Sequence, residues 1–243
     1  MLKIKNLSFD IQSEGRNKEI IRDITLDVPD GKLFVITGPN GGGKSTLAKL
    51  IAGIEKPTSG QIVFNDTDIT DMSVTERAKL GIGFAFQQPV RFKGIRVNDL
   101  IRIASGKELS ITEVCSYLSK VGLCAAEYVN REVNSSLSGG ELKRIEIATV
   151  LARGSLLTVF DEPEAGIDLW SFSNLIEVFE RQRREIKNRS ILIISHQERI
   201  LNIADEIIVL KNGVLETRGT KDEVLPALMG TSSAVQECRG VNN

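Results

Sequence analysis

Apolar residues along this chain fall into short runs, and the spacing inside each run predicts the element that carries it. Leu2, Ile4, Leu7 and Phe9 begin one strand, and Ile24, Leu26 and Val28 alternate with polar neighbours in another. The polar stretch 13–18 reads as a turn between them, and Pro29-Asp30-Gly31 as a second turn. Leu33-Phe34-Val35-Ile36 is continuously apolar, the signature of a strand buried on both faces, and it feeds directly into a glycine-rich loop and a helix expected over Lys44–Ala52. Gln61 to Phe64 reads as a strand ending in a turn at Asn65-Asp66. From Val97 to Leu137 the pattern is helical and irregular. A helix is expected after Gly139-Gly140, with Leu142, Ile145, Ile147 and Leu151 as its apolar positions. The runs Leu156–Phe160 and Ile191–Ile194 flank a long amphipathic helix, the β-α-β rhythm of a covered parallel sheet. Ile207–Leu210 and Val214-Leu215-Glu216 around Asn212-Gly213 predict a hairpin. A short helix around Asp222 to Leu228 and a small polar, mobile tail close the chain.

These elements predict an α/β fold in which a mainly parallel sheet carries a phosphate loop. An antiparallel β subdomain lies at the N-terminal side, with a small helical subdomain inserted. The expected organisation is a single domain over 1–243, with 1–96 and 138–229 as core and β subdomain, 97–137 as the helical subdomain and 230–243 as the tail.

Composition narrows the function mainly by exclusion. Thirty-one basic residues against 32 acidic ones give a net charge of −1, so no overall basic field points to nucleic acid, and none is expected as a partner. No apolar run approaches the roughly 20 residues that span a bilayer, and the start lacks the apolar run of a signal peptide. A cytoplasmic chain is expected, with any membrane link made through a partner. Cys115, Cys124 and Cys238 have no metal-ligand spacing and read as reduced thiols, Cys238 as a spare one in the tail.

The chemistry begins at Gly38-Pro39-Asn40-Gly41-Gly42-Gly43-Lys44-Ser45, followed by Thr46. Glycines there let backbone N–H groups turn inward around phosphate oxygens, and the following helix adds the positive end of its dipole. Lys44 is expected to reach the β- and γ-phosphates of ATP, and the Ser45 hydroxyl to ligate Mg2+. The run Leu156–Phe160 ends in Asp161-Glu162, at the carboxyl end of a parallel strand, where such sheets bind ligands. Asp161 is the candidate for holding Mg2+ through water, and Glu162 for activating the attacking water as a general base.

Leu137-Ser138-Gly139-Gly140-Glu141 is a small-residue turn opening a helix, with free N–H groups suited to an anion. It resembles the signature of the ABC ATPase family, and its place between the phosphate loop and the acidic strand is the family's order. The resemblance covers roughly Met1 to Met229 and implies the ABC ATPase fold and further roles. Gln87, in Phe86-Gln87-Gln88-Pro89, matches the glutamine that touches Mg2+ and reports nucleotide state. Ala165-Gly166-Ile167-Asp168 matches the loop that crosses the dimer interface, and His196 the switch histidine near the γ-phosphate. The implied catalytic set is Glu162, His196, Lys44 and Gln87. The implied working unit is a head-to-tail dimer of two copies, each ATP lying between Lys44 of one chain and Ser138-Gly139-Gly140 of the other. Where many members stack adenine on an aromatic residue, this chain has Ile11, with Phe9 two residues earlier.

Within the family, three stretches are similar to ATPases of the Suf iron–sulfur cluster assembly machinery. These are Phe84-Ala85-Phe86-Gln87-Gln88-Pro89-Val90 with Gly94, Ser138 to Glu141 with Lys143-Arg144, and His196 with Arg199-Ile200-Leu201. That resemblance implies a soluble β-helical scaffold of the SufB/SufD type as the partner moved by ATP. Ala52-Gly53 with Pro57-Thr58-Ser59-Gly60, and Pro163 after Glu162, are similar instead to transporter ATPases, whose partner is an ABC permease.

Overall fold

The structure, a computed structural model, describes residues 2–13, 16–185 and 188–237, without the side chains of 13, 16, 170, 185, 229 and 231–237. In chain order it begins with β1 (Leu2–Ser13), β2 (Arg16–Val28), β3 (Leu33–Thr37), α1 (Lys44–Ala52), β4 (Ser59–Phe64), β5 (Thr67–Asp68), α2 (Val74–Leu80) and β6 (Ile82–Ala85). A helical stretch follows: α3 (Val97–Ser105), α4 (Ile111–Lys120), α5 (Ala125–Tyr128) and α6 (Gly139–Arg153). The chain then returns to alternation through β7 (Leu157–Asp161), α7 (Leu169–Glu185), β8 (Ser190–Ile194), α8 (Glu198–Asn202), β9 (Glu206–Lys211), β10 (Val214–Thr220) and α9 (Lys221–Glu237).

One sheet has the order β10-β9-β3-β8-β7-β6, and the other, antiparallel, the order β2-β1-β4-β5. In the larger sheet every pairing is parallel except β10 with β9. Its inner strands are apolar on both faces, and alternation divides their side chains between two cores. Phe34 and Ile36 of β3, Leu192 and Ile194 of β8, and Ile208 and Leu210 of β9 face one core with Leu47, Leu50 and Ile51 of α1 and with Ile4, Leu7, Ile24 and Leu26 of the antiparallel sheet. Leu33 and Val35, Ile191 and Ile193, and Ile207 and Val209 face the other core, built with α3, α4, α6 and α7. The sheet is therefore a covered layer, and its loop ends are where chemistry can be exposed.

Four elements were not expected from the sequence, the five-residue α8 among them. The strand β6 spans Ile82-Gly83-Phe84-Ala85, too short and glycine-rich to read as a strand. It forms because it adds to the sheet edge beside β7, and a Cβ on Gly83 would lie 2.5 Å from Ser155 Oγ. The helix α2 carries a full capping box between Ser73 and Glu76, a signal that was legible in Ser73-x-x-Glu76. The two-residue β5 pairs with β4. At the other end, α9 continues to Glu237, past Leu228 and into the stretch expected as tail from Gly230, whereas Cys238 lies outside the described residues.

A buried arginine joins α2 to the end of α1. Arg77 is 1% exposed and donates through Nη1 to the carbonyls of Leu50 at 2.5 Å and Ile51 at 3.0 Å, through Nη2 to Thr70 at 2.8 Å, and through Nε to Met72 at 3.1 Å. The first two are carbonyls of the last turn of α1, and of the two only Leu50 O also accepts a backbone N–H, that of Gly53 at 3.2 Å. Arg77→Met is expected to destabilise the fold by about 2–4 kcal/mol, because several buried carbonyls lose their donor together. Denaturant unfolding checks this, and a loss below about 1 kcal/mol would contradict it.

Candidate functional site

Four loops at the carboxyl ends of parallel strands meet at one edge of the sheet. Register levels the ends: Ile36 of β3 lies opposite Ile194 of β8, Ile194 opposite Asp161 of β7, and Phe160 opposite Ala85 of β6. The residues that follow are therefore neighbours: the loop 38–43 after β3, Phe86-Gln87 after β6, Glu162 after β7 and Ser195-His196 after β8. An open cleft of about 880 Å3 results. One wall carries Asn40 to Thr46, Gln87, Glu162 and His196; the other carries Lys18, Glu19, Ile20 and Arg22 of β2 with Asn212.

The glycine-rich loop is shaped by close approach to its neighbours. Gly38 has φ +131°, and a Cβ there would sit 2.0 Å from the Leu210 carbonyl oxygen. Gly43, at φ +95°, starts α1, and a Cβ would sit 2.7 Å from Ile21 Cδ1. The loop is tied to the opposite wall through backbone: Gly213 N donates to Gly42 O at 3.2 Å, and Arg22 N to Gly213 O at 2.8 Å. Lys44 is 6% exposed and folds over the loop, its Nζ donating to Gly38 O at 2.8 Å and Pro39 O at 3.0 Å. Burial pushes its ammonium below the usual lysine range, with Glu162 and Asp161 working against that. An anion in the cleft would give this cation a stronger partner than two carbonyls.

The carboxylates sit at two levels. Asp161 is 4% exposed and reached through Ser45, whose Oγ donates to its Oδ1 at 2.9 Å. Burial raises its pKa; the Ser45 hydrogen bond opposes that and the neighbouring Glu162 charge adds to it. Glu162 has a left-handed backbone, φ +44°, uncommon for a residue with a side chain and often found at functional sites. Its N–H donates to Ile194 O at 3.0 Å, and its Oε2 accepts from Gln87 Nε2 at 2.6 Å. Adjacent oxygens of Ser45 and Asp161 suit a hard cation such as Mg2+, which takes few protein ligands and completes its shell with phosphate oxygens and water. Among the described residues no group of three or more His, Cys, Asp and Glu could hold a metal by itself.

The structure brings together Asn40 to Thr46, Gln87, Asp161, Glu162 and His196, with Gly38 and Pro39 behind Lys44. It leaves Ser138, Gly139, Gly140 and Asp168 outside the cleft. Ser138 caps α6: its Oγ accepts from Glu141 N at 3.2 Å, and its N–H donates to Glu141 Oε2 at 2.6 Å. Hydrogen bonds from Tyr128 and Ser138 hold the Glu141 carboxyl at about 2. Asp168 accepts from Ser171 N at 3.0 Å and Ser171 Oγ at 2.6 Å in the first turn of α7. Gly140 lies beside Gly166, so the small-residue turn and the loop 165–168 are neighbours; Ser138, Gly139, Gly166 and Asp168 are exposed.

The wall formed by β2 was missed by sequence reasoning. Ile11 does not line the cleft; it is 39% exposed and pairs with Lys18. Phe9 packs against the core, on a stretch of β1 where bulges interrupt the register. Glu164 was missed as well: Ser195 Oγ donates to its Oε1 at 2.5 Å, and burial raises its pKa. No aromatic ring is among the described residues lining the cleft. The described lining thus offers the base no stacking ring, and the groups gathered there, Lys44 and the loop N–H groups, suit phosphate rather than one base edge, so ATP and GTP are expected to bind within about tenfold of each other. Fluorescence titration with both nucleotides measures this; a preference for ATP above about a hundredfold would contradict it.

Comparison with known proteins gives the same outline. The ABC transporter family model matches residues 21–165. An uncharacterized ABC transporter ATP-binding protein of Methanocaldococcus jannaschii is 38% identical over 216 residues, 86% of this chain and 86% of that protein. The iron–sulfur cluster assembly protein SufC of Plasmodium falciparum is 36% identical over 220 residues, 84% of this chain and 61% of that longer protein. An ATP-binding cassette solved as a dimer in a post-hydrolysis state with ADP and Pi superimposes with a TM-score of 0.82 over 91% of this chain and 99% of that one. At 23% identity, that last likeness is one of fold.

Proposed function

Because this chain belongs to the ABC transporter family of ATP-binding proteins and is an ATPase, we propose that it hydrolyses MgATP as a head-to-tail dimer and uses closure of the dimer to move a partner. One observation carries the reading. The cleft gathers Lys44, Ser45, Gln87, Glu162 and His196, while Ser138 and Gly139, with half-buried Gly140, stand exposed outside it at the N-terminal end of a fifteen-residue helix. A helix N-terminus attracts anions, and one chain cannot offer this one to its own cleft. A second copy in reverse orientation would supply it.

In this reading Lys44 and the loop N–H groups hold the β- and γ-phosphates of the substrate. Ser45 and Asp161, with Gln87, would hold Mg2+, which when bound would supply charge neutralisation at the phosphoryl oxygens. Gln87 fixes the Glu162 carboxylate, and Glu162 orients the attacking water and takes its proton. His196 faces the γ-phosphate end, and Asp168 crosses to the other copy. Loss of the γ-phosphate removes the contact that favours closure, so the dimer opens.

The partner proposed is a soluble SufB/SufD-type scaffold. Support comes from the stretch Phe84 to Val90 with Gly94, from Lys143-Arg144 after the small-residue turn, and from the relative named for iron–sulfur cluster assembly. Next to Gln87 an apolar groove of about 250 Å3, lined by Phe84, Phe86, Val90, Phe92 and Leu142, offers a seat for an apolar segment of that scaffold. The second reading is a membrane permease in the same seat, favoured by Pro163, by Pro57-Thr58-Ser59-Gly60 and by the relative described as a transporter ATP-binding protein. Among the described residues no helix is long and apolar enough to cross a membrane. Tagged Glu162→Gln, loaded with ATP and recovered separately from cytosolic and detergent-extracted membrane fractions of the native host, distinguishes the two. A co-purifying soluble β-helical protein supports the scaffold; a polytopic membrane protein overturns it.

A further inference from the structure

A buried ion pair that the proposed reaction does not use grips the loop carrying Gln87. Lys143 of α6 is 0% exposed. Its ammonium donates to the carbonyl of Phe86 and, at 3.3 Å, to that of Gln87, and it lies 3.1 Å from Glu146 Oε2. Glu146, one turn further along α6, accepts from Phe86 N through Oε1 at 2.9 Å. The Phe86 residue is thus held at both ends, its N–H by the carboxylate and its C=O by the ammonium. Burial raises the Glu146 pKa, while Lys143 and the Phe86 N–H act to keep the carboxylate ionised.

Burying such a pair is costly, and well-packed apolar residues of similar volume often stabilise a protein as well or better. What the pair provides that apolar residues cannot is a fixed position for a polar backbone. Gln87 follows Phe86 directly, and its Nε2 donates to Glu162 Oε2 at 2.6 Å. A continuous polar chain therefore runs from α6, which begins at the exposed small-residue turn, through the loop main chain to Glu162.

We propose that Lys143 and Glu146 are positioning residues that set the main chain at Phe86 and Gln87 so that the Gln87 amide meets Glu162. The inference rests on the reading of Glu162 as the general base. The pair contacts no residue of the phosphate loop and meets the cleft lining only at the main-chain carbonyl of Gln87, so its loss should slow turnover while nucleotide binding persists.

The test is the double replacement Lys143→Met/Glu146→Leu, which leaves neither charge buried alone. The variant is expected to unfold within a few degrees of the parent and to bind a fluorescent ATP analogue within about threefold. Its ATP turnover should fall at least tenfold. In a Gln87→Ala background, the same double replacement should lower turnover by less than twofold further, since the chain is already broken. Parental turnover, or an undiminished tenfold loss in the Gln87→Ala background, overturns the inference. If the double variant does not fold by circular dichroism, the near-isosteric Glu146→Gln decides. A threefold or greater fall in turnover at unchanged nucleotide affinity supports the positioning role, and unchanged turnover overturns it. Glu162→Gln run alongside separates the two levels. Normal hydrolysis by Glu162→Gln removes the general-base reading and this inference with it. An inactive Glu162→Gln beside fully active pair variants removes this inference alone.

Discussion

Replacing Glu162 with glutamine is expected to slow ATP turnover by about a hundred- to ten-thousand-fold while ATP affinity stays within about threefold. The carboxylate is placed at the end of β7 by a left-handed backbone and held by the amide of Gln87 at 2.6 Å, so it faces the cleft already oriented. A glutamine of nearly the same shape keeps the volume and loses the proton acceptor. It leaves untouched the glycine-rich loop, Lys44 and the Ser45–Asp161 pair, which carry the binding contacts. Single-turnover hydrolysis beside equilibrium nucleotide titration separates the two quantities. A variant that hydrolyses at the parental rate removes Glu162 from this role.

Lys44→Ala is expected to lower ATP affinity by about a hundredfold or more with little effect on the fold. The ammonium is satisfied by Gly38 O and Pro39 O, and its burial disfavours the charged form. A cation kept at such a cost is poised for an anionic partner, and a hydrogen bond to a charged group contributes about 1.5–3 kcal/mol. Alanine removes that partner together with the desolvation cost, so unfolding without nucleotide should change by no more than about 1 kcal/mol. Calorimetric titration measures the affinity. A variant binding ATP within about fivefold of the parent would show that the lysine serves the loop rather than the phosphates.

The wall of the cleft that carries Lys44, Glu162 and His196 was legible because each piece is local. The apolar run Leu33–Ile36 followed by glycines, and Leu156–Phe160 followed by Asp161-Glu162, are strand-then-loop patterns, and parallel pairing necessarily brings their carboxyl ends together. The capping box at Ser138 and Glu141 was visible as a serine followed three residues later by a glutamate. The opposite wall was illegible for the converse reason. Ile20 and Arg22 reach the cleft because β2 is fastened to the turn after β9 by Arg22 N to Gly213 O, contacts far apart in sequence. Phe9 could not be placed by alternation because Asn6, at φ +46°, breaks the pleat and bulges shift the pairing around it. The burial of Lys143, named from the sequence only within the Suf-like stretch, follows from the path of the loop at Phe86, which no helical period encodes.

Exposure of Ser138 and Gly139 outside the cleft makes nucleotide-dependent pairing of two copies the central claim. The most direct measurement is the solution mass of Glu162→Gln by light scattering, at saturating MgATP and again at saturating MgADP. The account predicts a dimer with ATP and a monomer with ADP, and a return to monomer with ATP when Gly139 is also replaced by aspartate. A protein that binds ATP to saturation and stays monomeric, or a dimer indifferent to nucleotide and to Gly139→Asp, would contradict it.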